Sequence, residues 1–428
     1  MFRLCFSLLV CFTPFYLGGV DVSVVAQEHA KMRLCIVTLN DDQLQQVAQI
    51  VQKDLSWSNQ FDVDCVVQDR INSRTEVKRR AKEYPLIIFL THSSDDAIEW
   101  RLYDSAQVQM ISGKKVEKNG SVMRGWAHRC ADGIWYALTG SPGIFSSKIV
   151  FCKEKRFPGK MRPYKHVYVA DFDGSHVRAL VTTPTVSLAP RWNRGASRIP
   201  LIYYSECTTR NVRLVATTMN GRRHVVSNFD GLNMMASWSP GGEHAVLCLS
   251  RNGGTHLYLY EHAQGETLGA GLEQLTFNGL NVSPCFIDDN RIVFCSDDNV
   301  AKKPYLCLMS LDEQVIRQLV TGYCSSPTYC PETGKIAFAK RVLGKLQLFT
   351  YNLKTEQEEQ VTHGAGNKES CSWSPGGSAL VFAVEDGIKS QIMILNLQTK
   401  QQRSITLAHE RCSYPAWSPL YQNAPFIE

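Results

Sequence analysis

Ser372-Trp373-Ser374-Pro375-Gly376-Gly377, with the apolar run Leu380-Val381-Phe382-Ala383-Val384 behind it, is one copy of a unit that recurs along the chain. The same head appears as Pro190-Arg191-Trp192, Ser237-Trp238-Ser239-Pro240-Gly241-Gly242, Pro284-Cys285-Phe286, Pro327-Thr328-Tyr329-Cys330-Pro331 and Pro415-Ala416-Trp417-Ser418-Pro419. The head aromatics at 192, 238, 286, 329, 373 and 417 are separated by 46, 48, 43, 44 and 44 residues. A period in the middle forties filled with short strands is that of propeller blades. The aromatic fills the wedge between neighbouring sheets, Ser-Pro stops the strand, and Gly-Gly supplies the positive φ of a tight hairpin.

Each head is followed by a β-rich run such as Ile292-Val293-Phe294-Cys295, a third strand such as Leu306-Cys307-Leu308-Met309, and a short tail such as Gln318-Leu319-Val320. Four strands per unit is the blade count. A third strand and tail, His166–Asp171 and Ala179–Thr182, precede the first head, while almost no chain follows Trp417. These ends complete one shared blade, so six heads and six tails predict a closed six-bladed ring without a free edge.

The remainder of the 428-residue chain, 44% hydrophobic and 20% charged, leaves room for a second domain. A net charge of +6 with interleaved signs does not imply nucleic acid. Residues 1–26 read as a secretory signal: Arg3 gives a positive start, Leu4 to Leu17 an apolar core, and Val24-Val25-Ala26 a small-residue cleavage site. A membrane anchor is the rival reading, although about 14 apolar residues fall short of the roughly 20 needed to span. Residues 27–152 read as a small α/β domain, with a strand at Leu34–Val37, a helix from Asp41 to Leu55, and a final helix carrying Val122, Trp126, Cys130, Ile134 and Leu138. Ser73 is the expected cap of a short basic helix to Glu83, with Glu76 in capping-box position. Its cations face either an acidic partner or solvent. Residues 153–165, rich in Pro, Gly and Lys, read as a linker or loop, and 166–428 as the propeller.

Without Cys5 and Cys11 the chain keeps 13 of its 15 cysteines, most inside apolar strand patterns where Cys behaves as a small hydrophobe. Cys295 and Cys307, on neighbouring strands, are one candidate disulfide pair. No Gly-x-Ser-x-Gly elbow accompanies an α/β-hydrolase domain, since Gly140-Ser141-Pro142-Gly143 has the wrong spacing. No phosphate loop is complete. Asp171-Phe172-Asp173-Gly174 reads as a turn and not a calcium loop. No catalytic residue, cofactor site or metal site is read from the chain.

What differs between blades is the set of connections just before each head, all emerging around the channel mouth. The residues expected to contact a partner there are Leu188, Leu232, Asn233, Met234, Met235, Val282, Ser326, Glu369 and Ser413. Leu232, Met234 and Met235 are unusually apolar for loops, which marks either a contact patch or inward packing against the same blade.

The export signal, the small α/β domain, the junction Leu138-Thr139-Gly140-Ser141-Pro142-Gly143-Ile144-Phe145, the run Tyr168–Gly174 and the six heads together resemble the TolB family, the periplasmic propeller proteins of the Tol-Pal system. The resemblance covers nearly the whole mature chain. It implies a monomeric, non-enzymatic periplasmic adaptor that binds the peptidoglycan-associated lipoprotein Pal by the channel-mouth loops. It also implies communication with inner-membrane TolA through the N-terminal region, here Gln27 to Arg33, in support of outer-membrane integrity and cell division. The chain departs from the family in carrying Ser-Pro-Gly-Gly for the common Ser-Pro-Asp-Gly and in its cysteine count. The alternative reading is a hydrolase or small-ligand binder working through the central channel, which converging carboxylates or histidines would favour.

Overall fold

The computed structural model describes residues 31–118, 122–159, 162–193, 200–251, 253–261, 271–298, 302–387 and 389–420. The signal sequence and most of the Gln27–Arg33 segment lie outside them.

The first sheet is built from β1 (Met32–Leu39), β2 (Phe61–Gln68), β3 (Leu86–Ser94), β4 (Ala97–Asp104) and β5 (Gln109–Glu117), in the order β2-β1-β3-β4-β5. Its first three strands are parallel and the last two antiparallel. β1 is apolar without alternation because both of its faces are covered. Leu34 and Ile36 pack with α1 (Asp42–Ser56) and α3 (Met123–Thr139), while Cys35 and Val37 pack with Val77 of α2 (Ser73–Arg80). Asp41 caps α1 by accepting from Leu44 N at 2.8 Å. The cap of α2 is Asn72 and not Ser73, and the helix stops at Arg80, short of Glu83. Glu76 does not close a capping box: its carboxylate accepts from Arg79 at 2.6 Å and Arg80 at 3.2 Å, so part of the basic face is neutralised within its own helix.

The repeat region forms six blades. Val186–Trp192, Leu201–Cys207, Val212–Thr218 and Arg223–Ser227 make the first. The next four have inner strands Asn233–Trp238, Asn281–Phe286, Cys324–Cys330 and Asn367–Trp373. In the sixth, the carboxyl-terminal strand Cys412–Trp417 pairs with β6 (Lys148–Lys155), which pairs with β7 (Tyr164–Asp171) and then β8 (Arg178–Val181). The shared blade is therefore present, but its second strand is drawn from residues assigned above to the small domain and linker. Ile149-Val150-Phe151-Cys152 repeats Ile292–Cys295 and belongs to the ring, its strand pairing antiparallel with β7.

The heads join blades as expected of wedge fillers. Trp192 Nε1 donates to Ala416 O of the sixth blade at 3.0 Å, and Trp373 Nε1 to Thr328 O of the fourth at 3.1 Å. Backbone N–H groups of Phe286 and Trp417 donate to Ser237 and Ser372 of the blade before each.

The thirteen cysteines of the described chain are all free thiols. Cys152, Cys248 and Cys295 occupy one rung, repeated in three blades, and the first two donate to the next inner strand at Ser187 O (3.2 Å) and Asn281 O (3.4 Å). Cys295 and Cys307 do not form the candidate bridge. Cys295 pairs in register with Leu306, and Cys307 with Phe294, so alternation sends the two thiols to opposite faces of the sheet and into different cores.

Candidate protein-docking face

The small domain sits on one side of the disc. Arg124 of α3 binds Asp171 Oδ2 at 2.8 Å and Asp173 Oδ2 at 2.6 Å, in the turn between the third and fourth strands of the sixth blade. The turn foreseen at Asp171–Gly174 is thus also the ionic seat of the small domain. Gln60 reaches Gln398 in the corresponding turn of the fifth blade. Topology sends the opposite loops, the connections between blades and the hairpins joining second to third strands, to the other face, which the small domain leaves open.

On that free face each inner strand carries the same irregularity. Ala189, Met235, Ser283, Ser326, Ser370 and Tyr414 all have φ between 48° and 57°, each three residues before its head aromatic. Each coincides with a break in pairing register, as between Met234 and Ser237 or Ser325 and Thr328. These are β-bulges, at which two residues oppose one. A left-handed conformation in a residue other than Gly costs about 1 kcal/mol, so the ring holds six strained positions around its axis. In four blades the next residue is Pro190, Pro284, Pro327 or Pro415, which fixes φ and removes an N–H the bulge could not pair.

The bulges open onto a central channel whose cavity volume is about 80 Å³. Among the described residues its lining is mostly Ser, Thr, Pro, Ala, Cys and Trp, with Met235 and a single charged side chain, Arg191. Neither a carboxylate nor a histidine is among them. Burial pushes the Cys371 thiol on this lining up to about 12, far from a nucleophilic thiolate.

The expected contact residues do not share one fate. Met235 and Ser326 line the channel, and Met235 Sδ accepts from the Ser283 hydroxyl at 3.2 Å. Leu232 is exposed at the rim. Leu188, Met234, Val282, Glu369 and Ser413 are half-buried on inner strands, Met234 and Val282 packing against the core between the second and third blades. The Met pair thus packs into the core that its own blade shares with the next. Asn233 is a correction: it is fully buried, and its amide accepts from Ser227 and Phe229 N while donating to Val212 O and Phe229 O. It holds the connection in shape and has no group left for a partner. Glu369 is a half-buried carboxyl whose pKa is raised by burial and by nearby Glu385. Sequence reading missed Phe277, Leu280 and Leu407, exposed on the same rim. They lie further from the heads than the segments considered, although each is a large apolar residue amid polar neighbours.

These features define a class: a six-bladed propeller closed by both ends of its repeat region, with a small α/β domain on one face and an apolar-rimmed channel mouth on the other. The model of the TolB beta propeller domain matches residues 135–421, and the chain belongs to that family. The Tol-Pal system protein TolB of Rickettsia africae (strain ESF-5) is 31% identical over 160 residues, 37% of this chain and 35% of that protein. The TolB of Rickettsia felis (strain ATCC VR-1525 / URRWXCal2) matches to the same extent. The chain thus spans about a third of the length of the curated relatives it matches. The crystal structure of TolB from Acinetobacter baumannii shares the fold with a TM-score of 0.75 at 22% identity, covering 92% of this chain and 98% of that one.

Proposed function

We propose that the protein is a periplasmic adaptor of a Tol-Pal-type system, acting without catalysis as a monomer. Its channel mouth receives a Pal-like lipoprotein, and its amino-terminal segment engages a TolA-like inner-membrane protein. Family membership supports the system, and the similarity to proteins named for it supports an envelope role in outer-membrane integrity and division. The observation that carries the docking reading is the apolar rim: Leu232, Phe277, Leu280 and Leu407 all stand exposed on connections of the one face that the small domain leaves uncovered. Six strained bulges beneath that rim hold its loops in fixed positions, which reduces the ordering cost of binding. In a pull-down with a Pal-like lipoprotein, Leu232→Asp combined with Phe277→Asp should abolish capture while leaving the melting temperature unchanged. Undiminished capture would place the contact elsewhere.

A further inference from the structure

The charges of the disc are segregated. Each of the six hairpins joining second to third strands carries an exposed cation at or beside it: Arg210, Arg251, Lys302, Lys345, Lys389 and Lys155. The exposed acids described on those hairpins are Asp298 and Asp386. The opposite face mixes its signs, with Glu243, Asp289, Asp312 and Glu332 beside Arg291 and Lys354. All six hairpins leave the same side of a flat ring, outside the channel mouth.

Two of these hairpins also present an apolar side chain between cations. Leu343, 99% exposed, stands at the tip of the fourth-blade hairpin between Arg341 and Lys345. Phe157, 45% exposed, follows Lys155 and Arg156 in the sixth blade. A leucine so fully in water does nothing for the fold, and the Leu343 backbone adopts φ 48° to hold it there. Within this ring Arg156 is engaged, by Glu154 at 3.4 Å, whereas the structure records no ion pair for Lys155, Arg210, Lys345 or Lys389 among the described residues.

We propose that this outer ring is a peripheral binding surface for an anionic lipid leaflet, separate from the channel mouth. Cations at the plane of the headgroups gain attraction from the negative surface potential, each worth about fivefold in affinity, and Leu343 and Phe157 enter the interface between them. A flat ring in which the hairpins at Arg210, Arg251, Lys345 and Lys155 carry cations unopposed by an exposed acid, with Asp298 and Asp386 on the other two, fits a planar charged surface better than a concave acidic protein, because its cations lie at the circumference and not around one pocket.

The test is co-sedimentation of the full chain with phosphatidylcholine vesicles, with and without phosphatidylglycerol. Binding is expected only where the anionic lipid is present, and it should disappear between about 0.05 and 0.5 M salt as the charges are screened. Lys345→Glu with Lys155→Glu should weaken it at least tenfold, and Leu343→Ser several-fold, with melting temperatures unchanged because these side chains are exposed. Soluble polyglutamate serves as the acidic-polypeptide probe. Capture of polyglutamate without vesicle binding overturns the proposal, as does equal binding to vesicles lacking phosphatidylglycerol or indifference to both sets of substitutions.

Discussion

Asp54 of α1 accepts from, or shares a proton with, His128 of α3 at 2.7 Å, and both side chains are 2% exposed. The other ring nitrogen of His128 lies 3.7 Å from Asp171 of the propeller, so one imidazole bridges the two domains. Burial opposes its charge, but the carboxylates of Asp171 and Asp54 outweigh burial and raise the pKa to about 9. Asp171 is correspondingly held well below the usual carboxylate range: His128 and Lys148 overcome its own burial. Because the folded pKa of His128 exceeds its unfolded value of about 6.5, its contribution is complete below that pH, declines above it and is gone beyond about pH 9. Thermal melting followed from pH 6 to pH 10 should show stability falling over that window. His128→Gln should flatten this dependence and cost about 3 kcal/mol at neutral pH by stranding buried carboxylates. A melting temperature insensitive to alkali in the parent protein would contradict it.

The junction between the domains depends on a glycine that the sequence displays without explaining. A Cβ on Gly143 would lie 2.2 Å from Asp132 Oδ1 and 2.7 Å from Asp132 Cα, because the Asp132 carboxylate folds over the junction to accept from Phe145 N at 2.8 Å and Ser146 N at 3.0 Å. Gly143→Ala should therefore destabilise the protein by about 2 kcal/mol or more in urea unfolding. Gly140, three residues earlier, has φ 71° and open space around its Cβ position, so Gly140→Ala should cost only about 1 kcal/mol, from the backbone alone. Equal effects of the two changes would show that steric exclusion at 143 is not what holds the junction.

The repeat was legible because each blade must solve the same packing problem with the same residue types, and the head aromatics announce it. The second strand of the sixth blade was not, since it has no head of its own in front of it: its head is Trp417, at the far end of the chain. Asn233 was misjudged for a related reason. A polar residue in a connection reads as exposed, and only coordinates show that four backbone and side-chain partners already consume its amide. The strained ring left one trace, the proline that follows the bulge in four blades, but a proline before an aromatic has too many other uses to be decoded alone.

The thiols should be inert as a set. Burial pushes Cys152, Cys248 and Cys307 up to about 12, and Cys295 well above its ordinary value, so little thiolate exists at neutral pH. In native protein a thiol reagent should label, among the described residues, only the half-buried Cys65, Cys207 and Cys285, and slowly; unfolding in denaturant without reductant should then expose all thirteen thiols of the described chain. A shortfall of two after unfolding would reveal a disulfide.

Ring closure rests on Trp417, which is 1% exposed and donates from Nε1 to Ser147 Oγ at 2.7 Å, while its backbone N–H donates to Ser372 and its strand pairs with β6. One residue thereby ties the end of the chain to the start of the ring and to the fifth blade. Trp417→Ala should cost about 4 kcal/mol, since it removes the packing of a core aromatic together with the indole hydrogen bond to Ser147 while the backbone bond to Ser372 remains. Deleting residues from 412 onward goes further, because it uncovers the backbone of β6 as an open edge inside the ring. That truncated chain should aggregate at concentrations where Trp417→Ala remains monomeric in sedimentation analysis. A soluble, monomeric truncation with an intact melting transition would mean that five blades hold themselves together, and that the carboxyl-terminal strand is an ornament and not a clasp.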